Sequence, residues 1–224
     1  MKWLVDYSAI GDTLIKNIGV VHQNFLPVGL LGASTENPYK LDVERAKALL
    51  AKAGYPNGFK VTIDMRTVQP VQGITEALQQ TAKRAGIDVE IIPGDGKQTL
   101  TKYRARQHDI YIGQWGADYW DPHTNADTFA RNPDNGDDAK SKPLAWRNAW
   151  AIPELTKKTD AAVLERDAAK RKAMYEEIQA EFRRTSPFVM LYQQIEVAAF
   201  RSDVQGLRIG PTSDTTYMFN VSKT

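Results

Sequence analysis

Apolar residues recur at helical spacing in some segments of the chain and alternate at strand spacing in others. The first half of the chain is the most regular part. Its predicted order is helix 43–53, strand 60–65, helix 71–85, strand 87–92, helix 97–107 and strand 109–112. This β-α-β-α-β order predicts three parallel strands joined by right-handed crossovers. The fold class is therefore α/β, with a mainly parallel sheet flanked by helices.

The pattern is weaker outside this unit. It predicts helices at 7–18, 153–164 and 166–184, strands at 187–192 and 196–200, and a last strand at 216–222. The pattern weakens over residues 123–152, where 132–138 are turn-rich and polar, and no regular element is predicted there. The 166–184 helix has one apolar face and one charged face, and the charged face is interpreted as solvated surface.

The segment 113–122 follows the third strand of the regular unit and holds two indoles, a phenol and two carboxylates. Pro122 prevents a helix or a central strand from running through it. Ligands of open α/β sheets bind outside the carboxyl ends of the strands, where this segment is expected to lie. From the residues alone, the segment is either a ligand-binding loop or an aromatic plug that closes one end of the core.

Two opposite charges are expected at the same edge of the predicted sheet. Arg66 ends the first strand and Asp118 follows the third, and parallel strands share a carboxyl edge. With Trp115, Tyr119 and Trp120 beside them, these charges suit a zwitterionic ligand whose two ends must both be neutralised. The alternative for Arg66 is a surface ion pair with Asp64 or a neighbouring acid, which would contribute little.

Composition limits the function classes. The chain has 224 residues, 42% of them hydrophobic and 25% charged, with a net charge of +2 and no cysteine. A nucleic-acid partner would require clustered basic residues, and thiol chemistry and disulfides are excluded. No apolar run reaches the roughly 18 residues of a membrane span. The first residues lack the apolar region of a signal peptide, so the protein is either cytosolic or this chain begins inside a longer one.

Catalytic and metal-binding motifs are weak. His123 and Asp127 have i, i+4 spacing but would supply only two ligands, so no metal site and no cofactor are predicted. Nucleotide-binding loops and a nucleophile elbow are absent from the sequence. Asp118 and Asp121 could form the carboxylate pair of a carbohydrate hydrolase, and this enzyme remains the alternative to a binding protein. A purely structural interaction module is a third option.

Several segments together resemble one protein family. They are Phe25–Gly32 with its Pro-x-Gly, Tyr39–Tyr55, Gly86-Ile87, the Trp115-x-x-Asp118-x-x-Asp121-Pro122 motif, Ser186–Tyr192 and Val204-x-Gly206-Leu207. In this order they are similar to the extracellular solute-binding proteins of ABC importers, in the dipeptide and oligopeptide-binding class (family 5).

The resemblance implies a periplasmic-binding-protein-like second lobe over residues 1–224, with about 190–224 returning to a first lobe that this chain lacks. It implies no enzyme activity, a peptide-like ligand, and delivery to the membrane subunits of an ABC permease. A sugar or another solute is the alternative ligand. The location would be periplasmic or extracellular, lipid-anchored in a Gram-positive organism. By this likeness Asp118 pairs with the ligand amino group, and Arg66 lies near the carboxylate-binding arginine, although residues 67–70 depart from the family pattern.

Overall fold

The computed structural model describes residues 1–210, 212 and 215–224. A 3₁₀ turn at Lys2–Leu4 precedes the helices α1 Tyr7–Ala9 (continued by a π-helical turn, Ile10–Leu14), α2 Val43–Lys52, α3 Val71–Arg84, α4 Gly96–Arg104, α5 Pro122–Phe129, α6 Leu144–Arg147, α7 Pro153–Leu164 and α8 Ala168–Thr185. The strands are β1 Gly19–Val21, β2 Lys60–Arg66, β3 Asp88–Gly94, β4 Ile110–Tyr111, β5 Tyr192–Gln194, β6 Val204–Gln205 and β7 Ser222–Lys223.

The predicted parallel sheet is confirmed, with strand order β3-β2-β4. Strand β2 pairs in parallel with β3 over seven residues and with β4 over two, in the register Asp64 to Tyr111. Pro93 lies on β3, which is an edge strand of the sheet. Its missing amide hydrogen therefore interrupts no hydrogen-bond ladder on the outer side of β3. Two further pairs, β1 with β5 and β6 with β7, are antiparallel.

Two main hydrophobic clusters organise the packing. The first lies between the sheet and α2 and α3, and includes Ile63, Ala82, Ile87 and Val89. The second and larger cluster contains Phe25 and Leu26 together with residues of α5, α7 and α8. Its centre is Phe182, which contacts Phe25, Phe129, Trp150 and Phe188 through their rings.

Several predicted elements differ in extent from those observed. The helix expected at 7–18 ends at Leu14, and the strand β1 follows it. The region 123–152, for which no regular element is predicted, contains α5 and α6. Of the strands expected at 187–192 and 196–200 only Tyr192–Gln194 forms, because β5 is defined by its partner β1 rather than by local alternation. The strand expected at 216–222 is reduced to Ser222–Lys223.

The C-terminal segment exposes apolar side chains; positions 211, 213 and 214 lie outside the described residues. Val197 is 72% exposed, Met218 is 68% exposed and Phe219 is 80% exposed. The described helices include none that is both long enough and apolar enough to cross a membrane.

The burial of the three histidines predicts that the fold is less stable at acidic pH. Burial lowers the pKa of His22, His108 and His123 below the usual value, so the unfolded chain binds these protons more readily than the folded chain. The free energy of unfolding should therefore decrease as the pH falls below about 6.5, by at most about 1.4 kcal/mol per pH unit for each proton. Urea unfolding between pH 8 and pH 5 measures this. A free energy of unfolding that rises from pH 7 to pH 5.5 would contradict it.

Candidate functional site at the carboxyl edge of the sheet

The parallel sheet brings Arg66 and the segment 113–121 to the same edge. Arg66 is the last residue of β2, and Tyr111, the last residue of β4, is in register with Asp64. The amide of Ile112 donates to the carbonyl of Asp64 at 3.1 Å, which extends the pairing by one residue. The segment that carries Asp118 therefore starts beside Arg66, in agreement with the predicted parallel strands.

Arg66 and Asp118 are both exposed. Of the ion pairs within 4 Å in residues 1–210, 212 and 215–224, none involves either side chain. The alternative pairing of Arg66 with Asp64 is wrong. The Asp64 side chain is buried, and both of its carboxylate oxygens accept hydrogen bonds from Lys102 Nζ at 2.8 Å. Two opposite charges therefore face solvent without protein partners within ion-pair distance.

The three aromatic residues of the segment divide into two groups. Trp115 is 41% exposed and Tyr119 is 45% exposed, whereas Trp120 is half-buried and packs against the larger core cluster. Gly29 makes this packing possible, because a Cβ there would lie 3.0 Å from the Trp120 ring. Trp120 therefore belongs to the core, as expected for an aromatic plug, whereas Trp115 and Tyr119 of the same segment remain partly exposed.

Asp121 fixes the end of the segment. Its carboxylate accepts from the amide of His123 at 2.8 Å and so caps α5, which starts at Pro122, a position that suits proline. The Arg171 guanidinium donates to both Asp121 oxygens at 2.8 Å. The Asp118 amide donates to Thr124 Oγ1 at 3.1 Å, which ties the segment to the same helix.

This arrangement disfavours the hydrolase alternative. Burial alone would raise the pKa of the Asp121 carboxyl, but the Arg171 hydrogen bonds and the His123 amide hold that pKa below its usual value. The general acid of a glycosidase needs a raised pKa, and a nucleophile or base needs an accessible oxygen. Both Asp121 oxygens are engaged in holding the segment to α5 and α8.

Sequence reasoning missed the part that α8 plays in this site. The charged face of α8 was expected to be solvated surface, which is wrong for Arg171 and Arg183, whose side chains are 18% and 11% exposed. Arg183 donates to Asn24 and Ser34 in the loop that contains Gly29. The Asp121-Pro122 pair was a readable start signal for α5, whereas the partner Arg171 lies 50 residues away along the chain.

Metal chemistry gains no support from the geometry. Asp127, which has i, i+4 spacing from His123, contacts Arg131 at 3.3 Å. In the part of the chain that the structure describes, no group of three or more His, Asp or Glu residues is placed to hold a metal ion.

The fold is that of periplasmic binding proteins, and solved structures of that class superimpose on the chain. A periplasmic binding protein from Helicobacter pylori in complex with the peptide STSA gives a TM-score of 0.84 at 23% identity, covering 97% of this chain and 42% of that chain. A binding protein from A. tumefaciens in complex with agropinic acid gives a TM-score of 0.75 at 25% identity, covering 86% of this chain and 39% of that chain.

The sequence comparisons identify one family within the class of periplasmic binding proteins. Residues 1–137 match the bacterial extracellular solute-binding proteins, family 5 middle, and the chain belongs to this family. The dipeptide-binding protein of Escherichia coli is 22% identical over 217 residues, which cover 94% of this chain and 39% of that protein. The chain thus spans about two fifths of the length of this curated relative.

Proposed function

We propose that this chain forms one lobe of a non-enzymatic solute-binding protein that captures peptide-like ligands for an ABC import system. The observation that carries the proposal is two exposed opposite charges without an ion-pair partner among the described residues: Arg66 at the carboxyl end of β2, and Asp118 in the segment that follows the neighbouring parallel strand β4. Family membership supports the same function, and the dipeptide-binding relative and the peptide complex support the ligand class.

The proposed ligand contacts follow from charge. Asp118 accepts hydrogen bonds from the ligand amino group, and Arg66 donates to the ligand carboxylate. Trp115 and Tyr119 supply exposed aromatic surface in the same segment as Asp118, and Trp120 supports the segment from the core side. Each charge-assisted hydrogen bond contributes about 1.5–3 kcal/mol, because a ligand charge left unpaired would lose its hydration without compensation.

The rest of the transport function rests on the family. The chain is proposed as the second lobe, with residues 190–224 returning to a first lobe, and this accounts for the exposed Val197 and Phe219. Closure of two lobes over the ligand requires a higher ligand affinity in the closed state than in the open state. The partner is the membrane permease, and the location is periplasmic or extracellular, with a lipid anchor if the organism is Gram-positive.

A dipeptide titration followed by NMR tests this proposal on the 224-residue chain, since NMR also detects millimolar affinities. With alanyl-phenylalanine, the backbone resonances of residues 66 and 113–121 should shift saturably. The same dipeptide with an acetylated amino end and an amidated carboxyl end should bind more weakly, because neither charge remains. Shifts confined to the groove of about 240 Å³ that contains Lys157, Met174 and Glu177 would refute the proposed site.

A different small solute is the second candidate ligand. The complex of the A. tumefaciens binding protein with agropinic acid supports it, since that ligand is not a peptide. Exposed aromatic rings such as those of Trp115 and Tyr119 also stack against sugars. A neutral sugar that shifts the 113–121 resonances more strongly than the dipeptide would favour this candidate.

A further inference from the structure

Gly96 lies against the guanidinium of Arg66. Arg66 is in register with Gly94 at the end of β3, and Gly96 begins α4 two residues later. A Cβ on Gly96 would lie 2.8 Å from Arg66 Nη2 and 2.9 Å from both Cζ and Nε. Real Cβ atoms essentially never approach other heavy atoms below 3.0 Å. The observed position of the guanidinium therefore exists only because residue 96 has no side chain.

A substitution at Gly96 would displace the Arg66 side chain and would not strain the fold. The backbone of Gly96 is not among those with positive φ, so an L-residue fits it without conformational strain. The atoms in the way belong to the end of a long, exposed side chain, which can move aside. An alanine at position 96 should thus leave the helix intact and displace the guanidinium.

No nearby carboxylate explains the placement of Arg66. The Asp95 side chain caps α4 by accepting from the amides of Lys97 and Gln98, at 2.8 and 2.7 Å. It forms no ion pair with Arg66 within 4 Å, and both residues lie in the described part of the chain. Space over Gly96, and not a salt bridge, is the feature that accommodates the guanidinium.

We infer that Gly96 is a specificity-determining residue, which sets the position of Arg66 so that the site selects solutes with a free carboxylate. This inference rests on the proposed role of Arg66 as the carboxylate contact. It adds that the contact between Arg66 and the carboxylate depends on residue 96, whose own atoms need not touch the ligand. A larger residue at 96 would shift the site towards solutes without a carboxylate.

Acetate, the simplest carboxylate, is the probe. The Nε–H resonance of Arg66 is followed by NMR during titration with sodium acetate at constant ionic strength, with chloride as the balancing salt. Three proteins are compared: the unsubstituted chain, Gly96→Ala and Gly136→Ala. Gly136 is the matched control, since a Cβ there meets only the Asp134 carboxylate, at 3.1 Å. Thermal unfolding of each protein is recorded in parallel.

The unsubstituted chain and Gly136→Ala should show the same saturable shift at Arg66. Gly96→Ala should bind acetate roughly tenfold more weakly, the loss expected when one charge-assisted hydrogen bond is given up. Its Tm should be equal or higher, because alanine replaces glycine in a helix. Equal acetate affinity in Gly96→Ala would overturn the inference, as would a fall in its Tm. No response of Arg66 in the unsubstituted chain would instead overturn the role of Arg66 in the proposed function.

Discussion

Replacing Lys102 with methionine should lower the free energy of unfolding by about 3 kcal/mol. The reason is the Asp64 carboxylate, whose side chain is 3% exposed and lies on the central strand β2 between the buried Ile63 and Met65. Lys102 donates to both of its oxygens at 2.8 Å, and Lys102→Met leaves a buried charge without a partner. Methionine retains most of the length of the lysine stem, so the loss of packing is small. Urea unfolding at pH 7 measures the difference.

Lys60→Met is the matched control on the same sheet. Lys60 lies 3.9 Å from Asp88, and both side chains are largely exposed, so its removal should cost less than about 1 kcal/mol. The double variant Asp64→Asn with Lys102→Met removes the stranded charge and should recover part of the loss. Equal stability of Lys102→Met and the unsubstituted protein would show that water reaches Asp64 and that the pair does not stabilise the sheet.

The parallel sheet could be predicted because its signals are local. Apolar residues recur at helical spacing over 71–85; Ile74, Ala82 and Ala85 there are buried, and Leu78 is partly buried against the same cores. The Asp42 carboxylate caps α2 by accepting from the Arg45 amide at 2.9 Å. Helices and strands that alternate within one short stretch leave little choice of topology, because crossovers are right-handed.

The C-terminal strands could not be predicted for the opposite reason. Residues 187–192 form an apolar run, but Phe188 and Met190 pack against the larger core cluster without a neighbouring strand. Strand β5 forms further on, where Gln194 is in register with Gly19, far away along the chain. Which residues pair is decided by this distant partner, and the local sequence carries no information about it.

The charged residues of the candidate site could be predicted from the sequence, whereas the residues that hold the site in place could not. The sequence predicted Arg66 and Asp118 at one sheet edge from the parallel direction of the strands, and β2 and β4 are parallel as predicted. Arg171 contacts an element that is distant along the chain, and Gly96 lies at a sharp turn between two elements. A charged residue or a glycine at such a position cannot be recognised from the sequence as part of a site. Asp121 was read as a possible acid or a turn residue, and its bidentate partner identifies it as a support.

In the proposed two-lobe protein, replacing Asp118 with alanine should weaken dipeptide binding by about 1.5–3 kcal/mol, or roughly ten- to 150-fold. The carboxylate is exposed and lacks an ion-pair partner within 4 Å among the described residues, so its whole charge is available to the ligand amino group. The substitution leaves the Asp118 amide bond to Thr124 in place, and the fold should not change. Asp138→Ala removes another exposed carboxylate, outside the segment 113–121, and is the control.

The central claim is that opposite charges at one sheet edge hold the two ends of a peptide-like ligand. Its most direct test is the ratio of affinities for alanyl-phenylalanine and its N-acetylated form, measured by NMR titration for the unsubstituted chain, Asp118→Ala and Asp138→Ala. We predict that the free amino end is preferred by the unsubstituted chain and by Asp138→Ala, and that Asp118→Ala loses this preference. An undiminished preference in Asp118→Ala would contradict the account.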